Sequence, residues 1–128
     1  MGTLEFIGGD LFANGKNVSE DGTESGSNEN GHWTKFPDGT LICRYRSLVQ
    51  SETPTSRAGI FSGTNQSFVF PVEFMNGEIS LSSASVNLGG FFWSINNTPI
   101  KTGVTMYPLS TAASGKGFMG YIATGRWK

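Results

Sequence analysis

The sequence predicts an all-β protein: an antiparallel β-sandwich of about seven or eight strands with a short amino-terminal hairpin and neck. Apolar residues alternate with polar ones instead of recurring at three and four. Gly, Asn, Pro and Ser interrupt the chain about every ten residues. Glycine makes up 18 of 128 residues, about twice the usual share of about 7%, as a chain with many tight turns requires. This length supports one compact domain, whose folding removes roughly two-thirds of the unfolded surface from water.

The elements follow in order. "TLEFIGGDLFANGKNV" gives two short apolar runs broken by Gly-Gly and Asn-Gly, which suits a small hairpin. "SEDGTESGSNENG", residues 19–31, has no apolar residue and reads as a flexible neck, with Glu20, Asp21, Glu24 and Glu29 as a solvated acidic stretch. Residues 1–31 are therefore set apart from a sandwich at 32–128. There "HWTKF", Pro37-Asp38-Gly39 and "TLICRYRSLV" predict a hairpin, with Leu41, Cys43 and Tyr45 on one face and Ile42, Arg44 and Arg46 on the other.

"QSETPTSRAGIFSGTNQ" reads as a long surface loop around Ile60-Phe61. "SFVFPVEF" alternates as a strand to Phe74, and its proline demotes it to an edge or a bulge. Beyond the Asn76-Gly77 turn, "EISLSSASVNL" is a further strand, and "FFWSI" shows Phe91, Trp93 and Ile95 to one side. "NNTPIKTG" is a turn-rich connection, "VTMY" a short strand and "PLSTAASGKG" a polar loop. "FMGYIATGRW" is apolar on both faces, so it is central in the sandwich or packed against another subunit.

Nine basic and ten acidic residues leave a net charge of −1. No basic field exists to attract nucleic acid or an anionic membrane surface. No apolar run approaches the ~20 residues that span a bilayer, and the amino terminus lacks a secretory signal pattern, so a soluble chain without membrane insertion is expected. The single cysteine, Cys43, excludes an intrachain disulfide and reads as a buried strand residue, since Arg44 beside it points to the opposite face.

From about His32 to Lys128 the chain resembles the carboxy-terminal head domain of phage and prophage tail fibre proteins, also met in contractile-tail bacteriocins. "NGHWTKFPDGTLIC", "FVFPVEF" and "GYIATGRW" carry the resemblance, and "LFANGKNVSE" is similar to the linker that precedes such heads. The resemblance implies a homotrimeric β-sandwich at the distal tip of a virion's tail fibre, joined to an upstream shaft. It implies binding to a bacterial surface glycan, lipopolysaccharide or capsule, for host recognition, in an extracellular setting and without a cofactor. The chain is expected to be such a head without its shaft, with Met1-Gly2 as a cloning scar.

Under this reading the receptor-binding candidates are Arg57, Asn65, Asn97, Lys101, Tyr107 and Lys116, polar or aromatic residues in or beside long loops. Two other functions compete. One is a trimerising cap without a ligand, in which Tyr121 and Ile122 would hold the trimer. The other is a polysaccharide-degrading enzyme, for which the strand-rich region offers Asp38, Glu52, Glu73 and Glu78 as carboxylates. Asp38 is better explained by its turn, so no catalysis is expected. His32, tripled on a threefold axis, would give a three-nitrogen metal site.

Overall fold

The computed structural model describes the backbone at residues 5–7, 10–13 and 16–128 and side chains from Val18 onward, so Met1-Gly2 lies outside the described residues. Fourteen strands, rather than seven or eight, form among these residues: β1 Glu5–Ile7, β2 Asp10–Ala13, β3 Lys16–Ser19, β4 Glu24–Asn28, β5 Gly31–Lys35, β6 Thr40–Arg46, β7 Ser51–Glu52, β8 Thr55–Arg57, β9 Ile60–Ser62, β10 Gln66–Val69, β11 Ser80–Gly89, β12 Phe92–Asn96, β13 Gly103–Ser110 and β14 Lys116–Arg126. The excess comes from short pieces of two to four residues. All pairings are antiparallel. One sheet runs β1-β2-β3-β4-β5-β6-β14-β11, with β7 also on β14; the other runs β10-β13-β9-β8, with β12 also on β13. Together they pack as a sandwich.

The β5–β6 hairpin forms as its sequence predicts. The Gly39 amide donates to the Phe36 carbonyl, and the Phe36 amide donates to the Thr40 carbonyl. Gly39 has φ +101°, a region that side chains avoid. Asp38 accepts from the Thr40 amide at 2.8 Å, and that bond lowers its pKa below the ordinary carboxylate value. The carboxy terminus closes over this turn. The Trp127 amide donates to Gly39, its indole N–H donates to Phe36 at 2.9 Å, and Arg126 Nη2 donates to the Asp38 carbonyl at 2.6 Å. The "FPDGT" and "TGRW" segments are thus two halves of one clasp.

Three expectations are corrected. The neck at 19–31 contains strand β4, paired along its length with β5. Its Gly26 lies under the Trp33 ring, where a Cβ would stand 2.7 Å from an indole carbon, so the apolar partner of this polar strand comes from its neighbour. The loop at 50–66 contains β7 and a β8–β9 hairpin, turned by Ala58 and Gly59 at positive φ. The strand from Ser67 stops at Val69, and Pro71 beyond it has no N–H to donate to a continuing ladder.

"VTMY" extends instead, to an eight-residue strand through Pro108. On one edge of β13 the pairing with β10 covers residues 103–106 and that with β9 covers 109 and 110. Pro108, which has no N–H, lies in the gap between them.

Both sheets and the connection after β10 supply the core. Trp33, Leu41, Cys43, Met119, Tyr121 and Ala123 face inward from the first sheet, and Phe92, Val104 and Met106 from the second. Phe70 and Phe74 fill the space between: their rings meet edge-on with centroids 5.1 Å apart, and Phe70 meets Tyr121 at 5.3 Å. Strand β14 is paired on both edges, by β6 and β11, with Met119, Tyr121 and Ala123 inward and Ile122 half exposed on the outer face. Tyr121 therefore belongs to the core and not to a subunit surface. Its hydroxyl is buried without a protein partner, and burial pushes its pKa up.

Candidate functional site

The structure divides the six candidate residues into two groups. Asn97, Tyr107 and Lys101 lie on or beside the outer face of the second sheet. There Val104, Met106, Pro108 and Ser110 point inward, so Thr105, Tyr107 and Leu109 point out. Register places Ile95 against Tyr107 and Trp93 against Leu109. Phe91 precedes them, 76% exposed, so the expected Phe91, Trp93 and Ile95 face is present.

Beyond this apolar stripe the surface turns polar. The Asn97 Nδ2–H donates to the Tyr107 hydroxyl at 2.8 Å, and the Asn97 amide donates to the Thr105 carbonyl. The Ser67 and Thr105 hydroxyls bond each other at 2.9 Å across the β10–β13 ladder. A groove of about 370 Å³ opens here, lined by Ser67, Val69, Asn97, Thr98, Ile100 and Thr105 among others. Its lining carries hydroxyls, an amide and aliphatic carbons, and no charged side chain. Lys101 is turned away and pairs with Glu73 at 3.3 Å, both more than half exposed. Such a pair contributes at most about 1 kcal/mol.

Arg57, Asn65 and Lys116 belong to the opposite group. Arg57 ends β8 and donates from Nε to the Ser62 hydroxyl at 3.0 Å. Asn65 is exposed in the β9–β10 connection, and Lys116 opens β14 opposite Glu52. The loops around them share a buried brace. Thr53 is fully buried, its hydroxyl is 2.6 Å from that of Ser110 and donates to the Gly115 carbonyl, and its amide donates to the same carbonyl. Gln66 accepts from the Ser47 hydroxyl at 2.9 Å and donates to the Ser51 hydroxyl at 2.6 Å. Ser47, Ser51, Thr53 and Ser110 are four of the five buried polar side chains among the described residues. The Thr53–Ser110 network and the Ser47–Gln66–Ser51 network each hold one side of these loops in a single geometry.

The other sequence candidates are placed as follows. His32 is exposed on β5, opposite Arg44 of β6, so a cation at His32 would stand beside a guanidinium. Among the described residues no three His, Cys, Asp or Glu side chains come close enough to hold a metal ion. Cys43 is buried, and burial pushes its thiol from 9.0 up to about 11. A thiol whose folded pKa is raised stabilises the fold fully below its unfolded value and loses that contribution as pH climbs through the folded one. Stability is therefore expected to fall between about pH 9 and 11, and native Cys43 to resist thiol reagents at pH 8, as read by mass spectrometry before and after unfolding.

Sequence reasoning missed Ser67, Thr98 and Thr105. Single hydroxyls in a Ser/Thr-rich chain carry no signal until strand register sets them side by side. It also missed Thr53, whose sequence neighbours are polar.

No family model matches the chain, and no curated protein matches it. Solved structures do. A fragment of the P. aeruginosa R1 pyocin fibre comprising C-terminal residues 323–701 aligns with 84% of this chain at TM-score 0.62 and 14% identity. This chain covers 29% of that fragment, less than a third of its length. An N-truncated R1-type pyocin tail fibre aligns over the same share of this chain and 88% of its own, at TM-score 0.62 and 16% identity. The two-sheet fold of this chain is thus the fold found in the carboxy-terminal part of R1 pyocin tail fibres.

Proposed function

We propose that the chain is the receptor-binding head at the distal end of a tail fibre, of a phage or a pyocin-like particle, and that it adheres to a bacterial surface glycan. The observation that carries the reading is the outer-face groove on a tail-fibre fold. Sugars are held by hydrogen bonds to their hydroxyls and by aromatic or aliphatic surface against their C–H faces, with little charge. Asn97, Ser67, Thr98 and Thr105 supply the first; Val69 and Ile100 in the lining, with Tyr107 next to it through its bond to Asn97, supply the second. The head acts by binding and not by catalysis: Glu73 is committed to Lys101, and Asp38 to its turn.

On an array of bacterial surface polysaccharides the soluble protein is expected to bind a restricted set saturably. Tyr107→Ala should weaken that binding about tenfold or more, as the loss of an aromatic anchor does, without unfolding the protein. Absence of binding to every polysaccharide tested, including those of strains the particle infects, overturns the reading.

The head is a homotrimer in this account, joined to an upstream shaft. The outer face of β14 and β11 supports self-association. Ile122 is half exposed there between Ser82 and Arg44, on the same face as Gly120 and Ala84 and, farther along, Phe118 and Val86. Ile122→Arg is expected to convert a trimer to a monomer in sedimentation analysis, while a wild-type protein that sediments as a monomer contradicts the trimer.

A further inference from the structure

The outer face of the second sheet does not end at the groove. Hydrogen bonds and strand register carry it on without a break. Asn97 of the groove is bonded to the Tyr107 hydroxyl, and Tyr107 stands opposite Ile95. One step further along β13, Leu109 lies between Trp93 of β12 and Ser62 of β9. Arg57 reaches the same point from β8, its Nε–H donating to the Ser62 hydroxyl at 3.0 Å. Ser110 is buried and its partner Phe61 turns inward with it, so Ser62 turns outward with Leu109. The β8–β9 register then sets Arg57 opposite Ile60 on this outer face. From Thr105 to Leu109 the face runs about 13 Å at the ordinary strand rise.

Its chemistry changes along that length. Past the hydroxyls and amide of the groove comes a stripe of Tyr107, Ile95, Trp93 and Leu109, with Ile95 half exposed. Arg57 closes the far end. The outward strand positions of this sheet hold no carboxylate, and Arg57, which is exposed, enters no ion pair among the described residues. Its Nε–H is held by Ser62, which leaves the Nη amines aimed by that bond and open to a ligand. A second copy presenting the same face would offer this guanidinium no carboxylate. An anionic chain would.

Resting on the saccharide-binding function argued for the groove, we propose that groove and stripe form one extended site for an internal stretch of an anionic polysaccharide. The first sugars lie beside Tyr107 and bond to Asn97, Ser67 and Thr105. The next lay a C–H face on Trp93 and Leu109. A carboxylate or phosphate of the chain then accepts from the Arg57 Nη amines, a charge-assisted bond whose fork geometry suits either group.

Titration calorimetry of the full chain tests this, with fragments of one, two, four and eight sugars cut from the polysaccharide that the array selects. The eight-sugar fragment is expected to bind at least tenfold more tightly than the two-sugar fragment, as an added aromatic anchor allows. It should also change the tryptophan emission, a change absent from Trp93→Phe. Arg57→Gln should weaken the eight-sugar fragment about tenfold, since hydrogen bonds to a charged group are lost. Binding of the two-sugar fragment and the melting temperature should stay as they are. Reducing the fragment's carboxylates, or cleaving its phosphates, should cost the wild type the same tenfold and cost Arg57→Gln nothing; whichever treatment acts identifies the anion. Equal affinity for two and eight sugars overturns the extension and leaves the groove standing. Selection of uncharged polysaccharides alone overturns it, as does Arg57→Gln binding like the wild type. Variants at Trp93 or Arg57 that sediment as a smaller assembly overturn it in favour of a subunit interface. No binding at any length overturns groove and extension together.

Discussion

Replacing Phe74 with alanine is expected to cost the fold about 3–5 kcal/mol, lowering the melting temperature on the order of 10–20 °C. Phe74 is 1% exposed. Its ring meets Phe70 edge-on, and Phe70 in turn meets Tyr121 of the opposite sheet. Gly125 is bare where a Cβ would come within 2.7 Å of the Phe74 ring, so the far wall is backbone and cannot collapse cheaply into the vacated space. The consequence reaches the groove. Phe74 donates its amide to Lys101 and Phe70 donates to Thr102, so the connection that carries both rings also holds the turn that forms one groove wall. Urea unfolding measures the cost; a loss below about 1 kcal/mol would mean that this connection does not belong to the core.

Thr53→Val has the second large effect, and it divides stability from binding. Valine keeps the shape and removes the hydroxyl that meets Ser110 and donates to Gly115. The Gly115 carbonyl keeps the Thr53 amide and the Ser110 hydroxyl keeps Ala112, so the loss is that of the hydroxyl's own hydrogen bonds, about 0.5–1.5 kcal/mol each. At this point the loops at 47–54 and 111–115 are then joined by the Thr53 amide alone. A modest fall in melting temperature is expected, with saccharide binding at the sheet face unchanged. Weaker binding at the sheet face would show a global effect and mean that Thr53 is no local brace.

What the sequence made legible was whatever a single strand or turn encodes by itself. The β5–β6 hairpin, the Asp38 turn, the inward set Leu41, Cys43 and Tyr45 and the doubly apolar β14 all follow from alternation and turn chemistry. Elements whose reason lies in a neighbour were not legible. Strand β4 has no apolar residue because Trp33 of β5 covers its Gly26. Pro108 continues a strand because β10 ends before it and β9 begins after it.

The candidate residues show the same division. Tyr107 and Asn97 could be chosen as polar or aromatic groups near loops, but their mutual bond and the Ser67–Thr105 pair exist only through register. Lys101 has the right residue type and the wrong company, since Glu73 occupies it. Tyr121 looked like a surface aromatic of the last strand, and the sandwich closes over it.

A crystal structure of the assembled protein with the oligosaccharide it selects decides whether the outer face of the second sheet holds a glycan. Three copies around one axis are expected. Ordered sugar is expected against Tyr107, with hydroxyls bonded to Asn97, Ser67 or Thr105. A monomeric assembly, or sugar bound with this groove empty and Tyr107 bare, would contradict this reading.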